Sequence, residues 1–390
     1  MGKNIERAVH TLCEADHADV AVLRAEVESR VSTGEFDWAA DLAVELTAPV
    51  AAGDDHQGNC GAVLYWTLHA LAAHPEPESL RALVRVLESP HHGGFDPTAH
   101  PRYLAAVVAR GHRIETIAGV VFGRVPEAAC AREFAACLLH ESVLVHDGVS
   151  GYPELRAFAD TLLAEDHPLS VLPLSLLPEE HGLRRPPGAA DDWTWTVPAV
   201  WPETADAHRL PASAAMRRRV AGLDPTEIGP PATAGAMGAA VDHWLTRSNG
   251  RLAAQEFWLL EPVAREDVPA LLPLLPLTAW PEEAAGAQLH PADADLALRI
   301  LLTAAVRAPA YGRGLHGAYG RRAAWRSLAG LTGGPADAPI ADVAERVRRT
   351  GWFRVGTASP WFHNVAWDLA LAALRPGGRE IAVLAATDTD

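Results

Sequence analysis

The sequence predicts an α+β protein with an all-helical N-terminal domain over 1–180, either solenoid-like or an irregular bundle. A Pro/Trp-rich connecting region follows over 181–250, then a Trp/Pro-rich α+β domain with a small sheet over 251–390. Three observations carry this. Over 17–166, Ala, Leu and Val recur at three- and four-residue spacing, the period of a helix with one buried face. Between Pro168 and Pro281 the texture changes, with 16 of the 30 prolines and Trp193, Trp195, Trp201, Trp244, Trp258 and Trp280. Past residue 350, short runs rich in apolar residues and bounded by glycine mark strands. At 390 residues the chain also exceeds what one core usually spans.

In chain order, the periodicity predicts helices over 18–31, 36–52, 59–73, 77–89, 100–110, 127–140 and 152–165. Asp37 or Glu35 can open the second, Asn59 the third, and Pro153 sits in the first turn of the last. Helix pairs of this length would stack as a solenoid, although no sequence repeat accompanies them. Arg184–Gly188 reads as a linker, and Trp193–Val197 alternates with the period of a strand. The tryptophans of this region could form either a stacking platform or a core.

Leu252–Leu260 reads as a strand, 267–275 as a short helix interrupted by prolines, and 295–308 as a helix stopped by Pro309. Helices follow over 323–331 and 340–349, then a strand over 352–355. Ser359 with Pro360 predicts a helix start, 361–374 a helix, Gly377-Gly378 its end, and 380–386 a strand. That order is a β-α-β unit with a parallel pair.

Composition narrows the function classes. No apolar run is long and unbroken enough to span a bilayer and no leader pattern opens the chain, so a cytoplasmic protein without membrane partners is expected. Cys13, Cys60, Cys130 and Cys137 form no C-x-x-C pair, which argues against a zinc framework and a disulfide scaffold. The only lysine is Lys3, so a Walker-A or Schiff-base lysine in an ordered site is excluded. Residues 1–170 hold 12 Lys and Arg against 25 Asp and Glu, a net of −13, whereas 171–390 hold 21 against 24, a net of −3. The acidity of the helical half suits a protein partner. Within 299–349 the sign reverses, with nine arginines against three acids. That basic island is too narrow for a nucleic-acid footprint, so nucleic acid is not the expected partner.

The stretch Tyr311–Arg326 (YGRGLHGAYGRRAAWR) lies in that island. Glycines at 312, 314, 317 and 320 permit backbone shapes that a Cβ forbids, and Arg313, Arg321, Arg322 and Arg326 supply donors that fit phosphate or carboxylate. The Gly-x-Gly-x-x-Gly of 312–317 lacks the preceding strand of a dinucleotide fingerprint. Two readings stand: a Gly-rich corner joining two helices, or an anion site with Arg313, His316, Tyr319, Arg321 and Arg322 as ligand-binding residues. No Asp or Glu occurs from Ala308 through Ala336, so any pairing acid must come from elsewhere, with Asp368, Asp388 and Asp390 the expected sources. Asp388 and Asp390, past the end of the last strand, are candidate metal ligands.

Elsewhere the candidates are sparser. His91-His92, His100, and a His-Asp arrangement of His112, His146-Asp147 and Asp160 carry metal-ligating side chains, but Gly148 follows Asp147 at a helix exit. His140 and His146 lie six apart and point to different faces of a helix. Cys60 begins a helix, where a thiol pKa falls, and is read either as a nucleophile or as a small buried hydrophobe.

Gly317–Leu328, Trp361–Leu369, Ala373–Pro376 and the ending Ala385–Asp390 resemble an uncharacterised domain family of high-GC bacteria. The resemblance covers about the last 75 residues and implies a shared C-terminal fold with no activity attached. No pattern specifies a cofactor. The expected function is therefore binding, with a protein partner on the acidic helical domain and a small anion at 311–326. The alternative is an enzyme acting on a phosphorylated or nucleotide-like small molecule, with metal assistance from Asp388 or Asp390.

Overall fold

Helical periodicity in the first half and two-sided apolar runs in the second fold into two units: Met1–Ser175 with Arg184–Asp191, and Leu176–Leu183 with Asp192–Asp390. The structure is a computed structural model that describes residues 2–14, 17–55, 58–89, 99–184, 210–229, 231–280, 288–365 and 367–389. His91-His92, the predicted linker after Arg184, the Trp193–Val197 strand and Asp390 lie outside the described residues.

The first unit is helical throughout its described residues. Its helices are α1 (Gly2–Glu14), α2 (His17–Ser32), α3 (Phe36–Ala52), α4 (Asn59–Ala73), α5 (Pro77–Leu87), α6 (Ala99–Gly111), α7 (Ile114–Val121), α8 (Ala129–Val145) and α9 (Pro153–Ala164). The predicted helices all recur; α1 and α7 are additional. Pro77 and Pro153 occupy first-turn positions, where the missing N–H costs nothing. α5 buries Leu80, Leu83, Val86 and Leu87 on one stripe. α8 is buried almost all round and forms the centre of the unit, packing on α6. The start of α4 is capped by Asp55 rather than Asn59: its carboxylate accepts the N–H groups of Cys60 at 3.0 Å and Gly61 at 2.7 Å.

The second unit is built on a six-stranded antiparallel sheet. Its strands are β1 (Thr226–Ile228), β2 (Arg251–Trp258), β3 (Leu289–Ala292), β4 (Gly351–Val355), β5 (Trp367–Leu374) and β6 (Glu380–Asp388), in the order β1-β2-β6-β5-β4-β3. The predicted β-α-β unit is therefore corrected: 367–374 is a strand lying between β4 and β6, antiparallel to both. Both faces of β5 are covered, so its sequence is nearly continuous in Leu and Ala and shows no alternation. A central strand of that kind cannot be told from a buried helix by periodicity. Gly377 and Gly378, at φ +93° and +69°, make the β5–β6 turn, and a Cβ on Gly378 would lie 2.4 Å from the Val263 carbonyl.

The register sorts the side chains. On one face Ala253, Phe257, Ile381, Val383, Ala370, Ala372, Leu374 and Phe353 form a core with Val268, Leu271, Leu272 and Trp280. On the other, the helices α14 (Ala294–Val306), α15 (His316–Leu331) and α11 (Pro231–Met237) lie against β4, β5, β6 and β2. α10 (Ala214–Val220), α12 (Asp242–Arg247), α13 (Val268–Leu271) and α16 (Ile340–Arg349) complete the unit. The region 210–250, expected as a connector, thus supplies three helices and an edge strand to this unit.

α14 and α15 pack closely because α15 carries glycine where the two meet. A Cβ on Gly320 would fall 2.6 Å from Val306 Cγ1, and one on Gly330 would fall 2.6 Å from the backbone nitrogen of Met237 in α11. These glycines admit neighbouring backbones and side chains that any larger residue would displace.

Candidate functional site

The turn between α14 and α15 concentrates the basic island, and its backbone is pinned from several sides. Trp367 Nε1 donates to Ala308 O at 2.8 Å, Ala310 N to Asp388 Oδ2 at 2.6 Å, and Tyr311 N to Ser248 Oγ at 3.1 Å. Leu315 N closes the turn onto Ala305 O at 2.9 Å. His243, from α12, places Nε2 3.4 Å from Arg307 O. Burial drives the His243 pKa down to about 4, so the ring is neutral near pH 7. Asp388 is completely buried, and its Oδ1 has no hydrogen-bond partner among the described residues.

Beyond these tethers the turn opens. Gly312 has φ +103°, and it and Arg313 are exposed. Among the described residues the N–H groups of Gly312, Arg313 and Gly314 have no acceptor, and the Arg313 guanidinium has no carboxylate. Successive free amides in a turn form a concavity that suits an anion. The N-terminus of α15, sixteen residues long, follows at once, and its N-cap residue Leu315 makes no side-chain cap bond. Two further arginines flank the turn. Arg247 lies with its Cβ 3.4 Å from where a Gly312 Cβ would stand. The Arg307 guanidinium sits 4.7 Å from the centre of the Trp367 ring, and partial burial lowers its pKa.

The remaining predicted residues do not gather there. His316 starts α15 in the left-handed region at φ +59° and is buried. Tyr319 and Arg322 are half-buried, three residues apart on one face of α15. Arg321, one residue before Arg322, turns about 100° away into the core. It is 0 % exposed and forms a bidentate ion pair with the equally buried Glu180, from Nε to Oε1 at 2.6 Å and from Nη2 to Oε2 at 2.8 Å. Trp325 Nε1 adds a bond to Oε1 at 2.8 Å and Leu177 N one to Oε2 at 2.9 Å. Burial is the largest influence on Glu180 and pushes its carboxyl upward. The charge and hydrogen bonds of Arg321, with those of Trp325 and Leu177, outweigh it and hold the pKa below the usual range.

The acid that holds Arg321 therefore comes from 176–183 and not from Asp368 or Asp388, two of the expected sources; the third, Asp390, lies outside the described residues. Asp388 does reach the corner, but through the backbone of Ala310. Asp368 lies on the opposite face of the sheet, paired in register with Thr387, and burial raises its pKa. Ser359, expected as a helix cap, bonds instead to Ala279 O and Trp361 N at the start of a turn.

In the first unit the chemistry-bearing candidates serve the framework. His112 Nε2 contacts Ala72 O at 3.1 Å and His146 Nε2 contacts Ala109 O at 2.7 Å, and burial lowers both pKa values. Asp147 pairs with Arg184 at 2.8 Å. The His-Asp arrangement thus resolves into two separate backbone contacts and an ion pair. Cys60 is fully buried, and burial raises the pKa of Cys130 to about 12 and lifts that of Cys137 well above the usual thiol range. Among the described residues, no group of three or more His, Cys, Asp or Glu is arranged to hold a metal, and no helix is long and apolar enough to cross a membrane.

An open cationic turn on an antiparallel sheet with helices on both faces, accompanied by a helical unit, defines a two-unit α+β protein. The chain belongs to a family of unknown function, DUF6183, whose profile matches residues 21–390. Membership thus extends over both units, well beyond the C-terminal segments that carry the resemblance. No curated protein and no solved structure matches the chain.

Proposed function

We propose that this is a cytoplasmic binding protein whose second unit holds a small phosphate- or carboxylate-bearing anion at Gly312–Gly314, while the acidic helical unit serves a protein partner. The observation that supports this most is the run of three backbone N–H groups without acceptors beside the Arg313 guanidinium. Arg307 and Arg247 add positive charge at the rim, and Arg322, Tyr319 and His316 follow on α15. Arg321 leaves the ligand set because both carboxylate oxygens of Glu180 occupy it.

An enzyme acting on a phosphorylated or nucleotide-like molecule is the second reading. It is favoured by Asp388, a buried carboxylate under the turn with one oxygen unpartnered among the described residues. Phosphate, sulfate and AMP titrated into the full chain, followed by melting temperature, test the binding. A ligand at about a hundred times its Kd stabilises by roughly 2.7 kcal/mol. The Arg313→Ala variant should keep the unliganded melting temperature and lose the shift. Equal shifts in both proteins, or none with any of the three anions, would refute the proposal.

A further inference from the structure

A second opening lies on the same unit, in a cleft of about 510 Å³ between the end of α15, one face of α16 and the β5–β6 turn. That volume is within the usual range for small-molecule sites, about 300–1,000 Å³. Its wall includes Arg375, which is only 8 % exposed. The Arg375 guanidinium donates to Leu331 O at 3.1 Å, Gly330 O at 3.0 Å, Glu256 Oε1 at 2.6 Å and Glu380 Oε2 at 2.6 Å. Gly333, at φ +72°, lets the chain pass against that guanidinium, since a Cβ there would lie 2.9 Å from Arg375 Cζ. Arg375 and Glu380 are thus consumed by the framework.

The charges left over decide the chemistry. Glu345 and Arg349 approach each other at 3.7 Å. Asp342 and Arg346, the other two charged lining residues, have no ion-pair partner among the described residues. They stand four apart on α16, a spacing at which opposite charges commonly meet, yet they form no bridge within 4 Å. A simple anion would face Asp342 and Glu345, and a simple cation would face Arg346 and Arg349. A ligand carrying both charges satisfies both sides. We propose that the cleft binds a small zwitterion of the amino-acid class, its carboxylate on Arg346 and its ammonium toward Asp342.

The test uses the full chain and the common L-amino acids, each at about 10 mM, a concentration that nearly saturates a site of 1 mM Kd. Ligand-observed NMR identifies the tightest binder, and calorimetry compares it with its N-acetyl and carboxamide derivatives. At least one amino acid should bind, and each derivative should bind about tenfold or more weakly. Arg346→Gln and Asp342→Asn, both exposed substitutions, should weaken the parent amino acid similarly while keeping the melting temperature. Arg313→Ala should leave it unchanged, which separates this site from the Gly312–Gly314 turn. No binding by any amino acid, undiminished binding in both cleft variants, or equal binding of the N-acetyl derivative would overturn the proposal.

Discussion

Replacing Arg321 with Met removes one charge from a completely buried pair and leaves Glu180 in the core facing an apolar side chain. The carboxylate keeps the Trp325 and Leu177 donors but loses its countercharge and two hydrogen bonds. Breaking a buried pair from one side costs about 3–5 kcal/mol. At roughly 2–4 °C per kcal/mol for a unit of this size, the melting temperature should fall by about 10 °C. Glu180→Gln should cost a similar amount, because it strands the Arg321 charge. The double variant carries no charge at this site and should be less damaged than the two single losses combined, by about 3 kcal/mol. The pH dependence should change as well. In the native protein Glu180 has a lowered pKa, so its contribution is present above about pH 4.3, the unfolded carboxyl value, and lost as pH falls through the lower folded value. With Arg321 gone, burial raises that pKa and the sign inverts, so the variant recovers ground relative to the native protein on acidification. Calorimetric or urea unfolding of the four proteins at neutral and acidic pH measures all of this. Single losses that add within about 0.5 kcal/mol would show that the two residues do not act as a pair and would refute the reasoning.

Gly320→Ala places a Cβ 2.6 Å from Val306 Cγ1 and Gly330→Ala places one 2.6 Å from the Met237 nitrogen. Each should destabilise by about 1–3 kcal/mol despite the better helix propensity of alanine, and the measurement is urea unfolding. His243, with a folded pKa of about 4 against 6.5 unfolded, contributes stability that is fully present above pH 6.5 and lost as pH falls toward 4. His243→Gln should remove up to about 3 kcal/mol of that acid-side loss when unfolding free energies at pH 7 and pH 4 are compared, and an unchanged pH slope would contradict the assignment.

The helical first unit was legible because its signal is local: each amphipathic segment announces its period within its own residues. β2, β4 and β6 were legible as short apolar runs, β6 helped by the Gly377-Gly378 that precedes it. β5 was not, because a strand covered on both faces loses the alternation that identifies strands, and its alanines favour the helical reading. β1 and β3, three and four residues long, are too short to carry a period. At the corner the sequence showed the arginines and the want of local acids, but not the partner. Glu180 lies 141 residues earlier, in a segment that resembles the tail of the helical domain, and nothing local distinguishes it from a solvated acid. The division of Arg321 from Arg322 needed only helical rotation, once a boundary at His316 was known. The cleft beside α16 left no trace in the sequence, since its walls come from three separate elements and its four charges on α16 read locally as a solvated helix face.

Glu179 and Glu180 also bear on the order in which the molecule is made. Both belong to the second unit and bind Arg348 and Arg321, residues translated much later. At 5–20 residues per second, the ribosome needs on the order of 10 s to deliver Arg321 after Glu180 has emerged. During that interval the first unit has its whole stretch of Met1–Ser175, while Leu176–Leu183 has no core to enter. Fragments should behave accordingly. A piece beginning at residue 192 would leave Arg321 without its acid, whereas the longer one beginning at 176 carries the acid with it and is the one expected to assemble by itself.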